Sequence, residues 1–436
     1  MVADEIDAVE LLRKLIRFDT SNPPGGEREC IEWVRGLLEE LGCEVRLLGR
    51  EPERPNLVAR LAGRGAAPPL LLQGHVDVVP AGSGRWRHDP FGGELVDGEV
   101  WGRGALDMKG GVAIMLAAFM QAKASGIEPA GDVILCLLAD EEAGSDLGAN
   151  FLVAEHPELF EGVRYSIGEF GGFTMELAGA RLYPIMVAEK QICWARARLQ
   201  GPGGHGSLPI SGGAMGKLGR VLSKLDRRRL PVHVTPLVRS SIKAIAAEAP
   251  APIALPLRGL LVPALTDRIL DAMGERGRSF DPVLHNTASG IIVRGGEHAN
   301  VIPDEVTLDL DIRLLPGFRP EDAFEELRRL SGVEMEFELL RHDPAQADPD
   351  LSLFDALAGI LRELDPNARP IPLLLPAATD GRFFARLGIQ TYGFLPMQLP
   401  PQMRFMDLIH ADDERVPANA IEFGARAVGM LLERFA

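Results

Sequence analysis

Two short apolar runs constrain this chain more than anything else in it, because each ends in groups that bind metal or move protons. Leu70-Leu71-Leu72 leads into Gln73-Gly74-His75-Val76-Asp77-Val78-Val79-Pro80, and the run Val133 to Ala139 leads into Asp140-Glu141-Glu142-Ala143-Gly144. A continuous apolar run closed by Gly or Pro reads as a buried strand leaving a sheet. His75 and Asp77 are two apart, so an extended backbone points both side chains to one face. Between the runs, Gly102-Arg103-Gly104-Ala105-Leu106-Asp107-Met108-Lys109-Gly110-Gly111 offers a further carboxylate. Carboxylates and an imidazole gathered at strand ends suit a metal-centred hydrolytic site.

The rest of the chain alternates helices and strands around these runs. Ile6, Val9, Leu12 and Ile16 recur at helical spacing, and a second amphipathic helix runs from Glu27 to Leu41, stopping at Gly42. Strands are expected at 43–48 and 56–61, and a helix apolar on nearly every side over 112–124. This style breaks near Met186. Beyond it come a strand at 192–199, a helix at 214–228, strands at 290–293 and 306–314, a helix around Phe324 and Leu327, and a strand at 333–340. In 306–314 the apolar Val306, Leu308, Leu310, Ile312 and Leu314 alternate with Thr307, Asp309, Asp311 and Arg313, the mark of a half-exposed sheet. Pro231 to Ser279 is Pro-rich, and the pattern leaves its conformation open. From Leu351 the first style returns. The expected fold is therefore α/β: a mostly parallel sheet with helices on both faces over 1–186 and 341–436, with an α+β domain inserted at 187–340. Ligands in such sheets lie beyond the carboxyl ends of the strands, where the acidic residues and His75 fall.

A chain of 436 residues is too long for one ordinary core, which agrees with two domains. Its 62 acidic against 46 basic residues give a net charge of -16, leaving no cationic surplus for nucleic acid. A local cationic pocket remains compatible with that balance. Cys30, Cys43, Cys136 and Cys193 form no close pair and read as buried thiols. The N-terminus lacks a signal-peptide pattern and no apolar segment is long enough to span a bilayer, so the expectation is a cytoplasmic protein with no membrane partner. His88, His156, His233, His285, His298 and His342 lie in polar or loop contexts and are expected at the surface, and Arg227-Arg228-Arg229 reads as a solvated helix end.

The stretches GHVDVVP (74–80), GRGALDMKGG (102–111), DEEAG (140–144), GEFGGF (168–173), GHGS (204–207), NVIP (300–303), LDIRLLPG (310–317), ATDGRF (378–383) and IHADDERVP (409–417) together resemble the dinuclear metal-dependent aminoacylase, carboxypeptidase G and succinyl-diaminopimelate desuccinylase family of metallopeptidases. They occur in the family's order and span nearly the whole chain. The resemblance implies that His75 and Glu169 hold one metal, Glu142 and His410 another, and that Asp107 bridges them, often with a cis peptide to the next residue. It implies Glu141 as general base and Asp77 as the acceptor of the other ring N–H of His75. His205 would stabilise the oxyanion, and in dimeric relatives it does so in the neighbouring subunit. Arg313 and Asn300 would bind a substrate carboxylate, although Arg313 can equally pair with Asp309 or Asp311, and Thr379 and Arg382 would line the opposite wall. The inserted domain would act as lid and dimerisation surface. Mixed carboxylate and imidazole donors suit two divalent ions, zinc first and cobalt or manganese next. The implied activity is cleavage of an amide or peptide bond beside a free carboxylate in dipeptides or N-acyl amino acids, with N-acyl or ureido metabolites as an alternative and a non-catalytic binding protein as a weaker one. Phe170 departs from a common acidic-Gly-Gly run, so the pocket beside Glu169 is expected to be narrower.

Overall fold

The Leu70–His75 run forms a strand buried along its whole length, and Val133–Leu138, equally buried, lies parallel beside it. Tyr165–Gly168 pairs parallel on its other side, and Gln390–Gly393 pairs parallel with that strand in turn. These four are the centre of a nine-stranded sheet. Away from the centre the direction alternates: Asn56–Leu61 is antiparallel to Val133–Leu138, Glu44–Leu48 to Asn56–Leu61, and Ala180–Glu189 meets Gln390–Gly393 antiparallel. The computed structural model describes residues 6–82, 84–177, 179–345 and 348–435. It divides into a first unit, Met1–Val187 with Asp350–Leu373 and Thr379–Ala436, and a second, Ala188–Pro349 with Leu374–Ala378.

Helices cover both faces of the parallel centre. Leu71, Ile134, Cys136 and Leu138 pack with Phe151, Leu152 and Phe383. On the opposite face runs the helix Lys109–Ala124, so close that a Cβ on Gly74 would lie 3.0 Å from Met115 Cε. That helix is buried nearly all round, being enclosed by the sheet and by the helices Ala8–Ile16 and Ala418–Arg434. Ala8–Ile16 begins where the Asp7 carboxylate accepts from Val9 N and Glu10 N. Since the central strands are parallel, their carboxyl ends share one edge. The residues leaving that edge are Val76-Asp77, Asp140 to Glu142, Glu169 and Phe394.

The second unit holds a four-stranded antiparallel sheet in the order Thr287–Arg294, Glu305–Leu314, Gln191–Gln200, Glu336–Asp343. Val306, Leu308, Leu310, Ile312 and Leu314 point to a core shared with the helices Ala214–Arg227 and Pro320–Ser331. The last strand runs past the expected Leu340, and the unit reaches Pro349. Pro231 to Ser279 is mostly helical: Pro236–Glu248, Ala251–Gly259 and Pro263–Met273. Each of these helices carries Pro in its first turn, where the missing N–H costs nothing, and Ala251–Gly259 holds a second one, Pro256, in its interior. His285 is a second correction. It is buried, with Nδ1 bonded to the Asp281 carbonyl and Nε2 to Asp267. Arg229 is not a free helix end either, since it pairs with Asp271 and Asp281. Among the described residues no helix is long and apolar enough to cross a membrane, and all four cysteines are free and buried.

Lys190 is buried in this unit, with Nζ donating to the carbonyls of Pro282 and His285 and to Thr287 Oγ1. Burial, and then the Arg313 charge, push its pKa from 10.5 down to about 7. Between those values the unfolded chain binds a proton that the folded chain does not. The group therefore adds stability as pH rises from about 7 towards 10. Urea unfolding at pH 7 and pH 9 should show wild type gaining roughly 2 kcal/mol over Lys190→Met across that interval. A stability difference independent of pH would contradict the lowered value.

Candidate metal centre

His75 is the last residue of its strand, and its ring is almost wholly buried. Nδ1 lies 2.9 Å from the Asp77 carbonyl oxygen, which can only accept, so Nδ1 carries the proton. Nε2 then faces Asp107 Oδ1 and Glu169 Oε2, each at 3.4 Å, and among the described residues it has no hydrogen-bond partner. The resemblance led us to expect the Asp77 carboxylate as partner of the ring. That carboxylate lies 3.4 Å from Nδ1, and the Asp77 carbonyl, at 2.9 Å, is the nearer acceptor because the strand ends at His75. The carboxylate itself accepts from Glu141 N and Glu142 N, both at 3.1 Å, and from Asn22 Nδ2 at 2.8 Å. Asp77 thereby pins the corner on which the two glutamates stand.

Asp107 ends its loop with a cis peptide to Met108. Its Oδ1 faces His75, and its Oδ2 lies 3.1 Å from His410 Nε2, which is 3.3 Å from Glu142 Oε1. Two groups able to hold a metal ion result, His75-Asp107-Glu169 and Asp107-Glu142-His410, with Asp107 common to both. Glu141 belongs to neither. It sits on a short 3-10 turn, with Oε1 3.8 Å from Arg382 Nη1. Arg382 is held by the Thr379 carbonyl and Ser145 Oγ, while Thr379 Oγ1 accepts from Gly381 N. Arg382 thus stands beside Glu141 inside the same unit.

The electrostatics test whether the residues fit cations. Burial pushes Glu169 up to about 7 and Asp380 up to about 6. Burial, and then the Glu169 charge, push Glu141 well above the ordinary range. His410 rises to about 10 because the Asp107 and then the Glu142 carboxylate lie beside its ring. His75 is also raised: burial disfavours its charge, but Asp107, Asp77 and Glu169 outweigh burial. Asp107 is held low against its burial by the two imidazoles. Protons thus offset a cavity of carboxylates, and divalent ions at the same place would displace them. The buried Nε2 of His75 and Oε1 of Glu142, both without a hydrogen bond, have the donor chemistry such ions need.

Two buried ion-pair networks behind these groups have no local signature in the sequence. Glu414 is fully buried and accepts from Arg103 Nη1 at 2.7 Å, Gly104 N, Leu106 N and Asp107 N. It ties the loop after His410 to the loop that presents Asp107. Arg54 pairs with Glu27 and with Asp140 at 3.1 Å, and Asn22 Nδ2 links Asp140 to Asp77. Arg54 sits in the polar run Glu51 to Pro55, which reads as a solvated turn.

In the second unit His205 is exposed, with Nδ1 2.7 Å from Ser207 Oγ, and Gly204–His205 pairs with Val301–Ile302. Gly206 N donates to the Asn300 carbonyl, so His205 and Asn300 share one pair of loops. Arg313 makes a two-pronged contact with Asp311 at 2.8 and 3.2 Å, the alternative pairing weighed for it.

Acidic and imidazole groups converging at the carboxyl edge of a parallel sheet define a metal-dependent hydrolase. The chain belongs to peptidase family M20/M25/M40, which matches residues 71–434. It is 28% identical to a succinyl-diaminopimelate desuccinylase of Paracoccus denitrificans over 98% of both chains. It is 26% identical to the human N-fatty-acyl-amino acid synthase/hydrolase PM20D1, over 84% of this chain and 74% of that protein. A solved structure of the Bacillus subtilis YXEP protein, described as a dinuclear metal binding peptidase of the M20 family, shares the fold with a TM-score of 0.59 at 15% identity, covering 98% of this chain and 96% of that one. The chain is therefore a hydrolytic enzyme of a family acting on peptide and amide bonds, and the non-catalytic alternative is set aside.

Proposed function

We propose that the enzyme cleaves an amide or peptide bond next to a free carboxylate in small substrates, dipeptides or N-acyl amino acids, using two divalent ions. The observation that carries this reading is the position of Asp107 between His75 and His410, each with a further carboxylate of its own. His75 and Glu169 would hold one ion, Glu142 and His410 the other, and Asp107 both; the donor set favours zinc. When bound, the ions supply Lewis acidity that brings a water towards ionisation near neutral pH and polarises the scissile carbonyl.

The chain's own residues do the rest. Glu141, beside the ligands but outside both groups, takes a proton from the attacking water at its carboxylate and returns it to the departing amine. Arg382 steers that carboxylate from 3.8 Å. Asp77 fixes Glu141 and Glu142 through their backbone N–H groups. In the second unit His205 would stabilise the developing oxyanion, and Arg313 with Asn300 would clamp the substrate carboxylate, Arg313 exchanging Asp311 for substrate. We read the enzyme as a homodimer formed through this unit. The edge strand Thr287–Arg294 supports that, with Ile291, Ile292 and Val293 exposed. A cytoplasmic location agrees with four unpaired thiols.

The test is turnover of a panel of dipeptides and N-acyl amino acids, read by free-amine release, with metal removed by chelator and restored. Activity should vanish on removal and return with zinc, and thermal unfolding should shift down by several degrees in the stripped protein. Hydrolysis of panel members by the stripped enzyme at an undiminished rate would end the two-ion reading.

A further inference from the structure

An apolar shelf adjoins the candidate ligands. Phe170 follows Glu169 in the chain, Ile409 precedes His410, and the two stretches are joined by three rings. Phe173 and Phe405 stack with centroids 4.1 Å apart and planes within 1°. Phe170 stands edge-on to both, at 5.6 and 5.9 Å. Stacked and edge-on contacts of this kind hold rings in register. The stretch carrying Phe170 and Phe173 is tied to 395–399: Leu395 N donates to the Gly171 carbonyl, Thr174 N to the Met397 carbonyl and Leu399 N to Thr174 Oγ1. The cluster is not a closed core. Phe173 is buried, whereas Phe170 and Phe405 are half-exposed and Met406 is 58% exposed. Phe170, the departure beside Glu169, stands T-shaped against the Phe173–Phe405 stack. Half-open apolar surface running into a polar site is what a binding pocket for a mixed ligand requires.

We propose that this shelf receives a bulky apolar group, aromatic or long-chain aliphatic, carried next to the scissile amide. The preferred substrates then bear a large apolar acyl group or side chain rather than a small one. The occupant is the substrate because Phe170 directly follows Glu169 and Phe405 belongs to the short stretch that leads to His410. This inference rests on the hydrolytic reading above and adds the chemical class of the substrate to it. Each methylene removed from water on the shelf raises kcat/KM about fourfold.

The experiment uses the metal-loaded enzyme with the acetyl, hexanoyl and phenylacetyl derivatives of one amino acid, and with dipeptides that differ only in Ala or Phe beside the bond. The large member of at least one series should exceed the small one by tenfold or more in kcat/KM. Phe405→Ala should bring that ratio to within about threefold, chiefly through a higher KM for the large member, and Phe405→Leu should give an intermediate ratio while preserving the fold. Flat series in wild type, or a ratio that survives in folded Phe405→Ala, overturns the proposal. Should no member be cleaved, the proposed amide substrates fall, and calorimetry still reads the shelf. Hexanoate binding at least tenfold tighter than acetate, with the advantage lost in Phe405→Ala, upholds it; equal affinities overturn it.

Discussion

Glu141→Gln is expected to lower kcat by about 10²- to 10⁴-fold while the protein keeps its full complement of metal. The reason lies in where the side chain stands. Glu141 is outside both ligand groups, and its backbone N–H, not its carboxylate, is what Asp77 holds. An amide in its place keeps size and polarity but cannot take up a proton. The neighbouring substitution gives the contrast. Glu142 faces His410 at 3.3 Å within the Asp107-Glu142-His410 group, so Glu142→Gln should lose metal and activity together. Steady-state rates paired with elemental analysis separate the two outcomes. If Glu141→Gln shed metal as Glu142→Gln does, or turned over at the wild-type rate, the two glutamates would have been assigned the wrong tasks.

The place of both glutamates was open to sequence reasoning because they follow the apolar run Val133 to Leu138, which forms a strand and ends on the sheet's carboxyl edge, while their separate tasks rested on the family resemblance. His75 was legible on the same ground, closing a central strand, whereas Glu169 rested on the motif resemblance although it too follows one. His410 and Asp107 follow no strand and rested on motif resemblance alone. The strand ends at His75, so the Asp77 carbonyl comes nearer to the ring than the Asp77 carboxylate does. The sequence pattern left the conformation between Pro236 and Met273 open, because proline opposes a helix interior yet not a first turn, and here it stands in the first turn of all three helices and once, as Pro256, inside one. Glu27, Arg54 and Asn22 left no trace at all. Their partners lie far off in the chain, and a charge that will be buried looks, in a sequence, like one that will be solvated.

Glu414 shows what such a hidden group should be worth. Its carboxylate is fully buried and receives four donors: Arg103 Nη1 and the backbone N–H groups of Gly104, Leu106 and Asp107. Arg103 is buried too, so Glu414→Ala leaves a buried guanidinium without its counter-charge, a change that typically costs about 3–5 kcal/mol. Glu414→Gln should cost less, since one oxygen can still accept from Leu106 and Asp107 while the amide group meets Arg103 with the wrong sign. The consequence should not stop at stability. Asp107 presents one oxygen to His75 and the other to His410, and Glu414 grips its backbone N–H. Loosening that grip should weaken metal binding about 10- to 100-fold, as the loss of partners that orient ligands does elsewhere. Denaturant unfolding of the metal-free Glu414→Gln protein, set beside its zinc affinity, distinguishes the two effects. A variant destabilised as expected but binding zinc as tightly as wild type would make Glu414 a plain structural anchor, and Asp107 would owe its aim to something else.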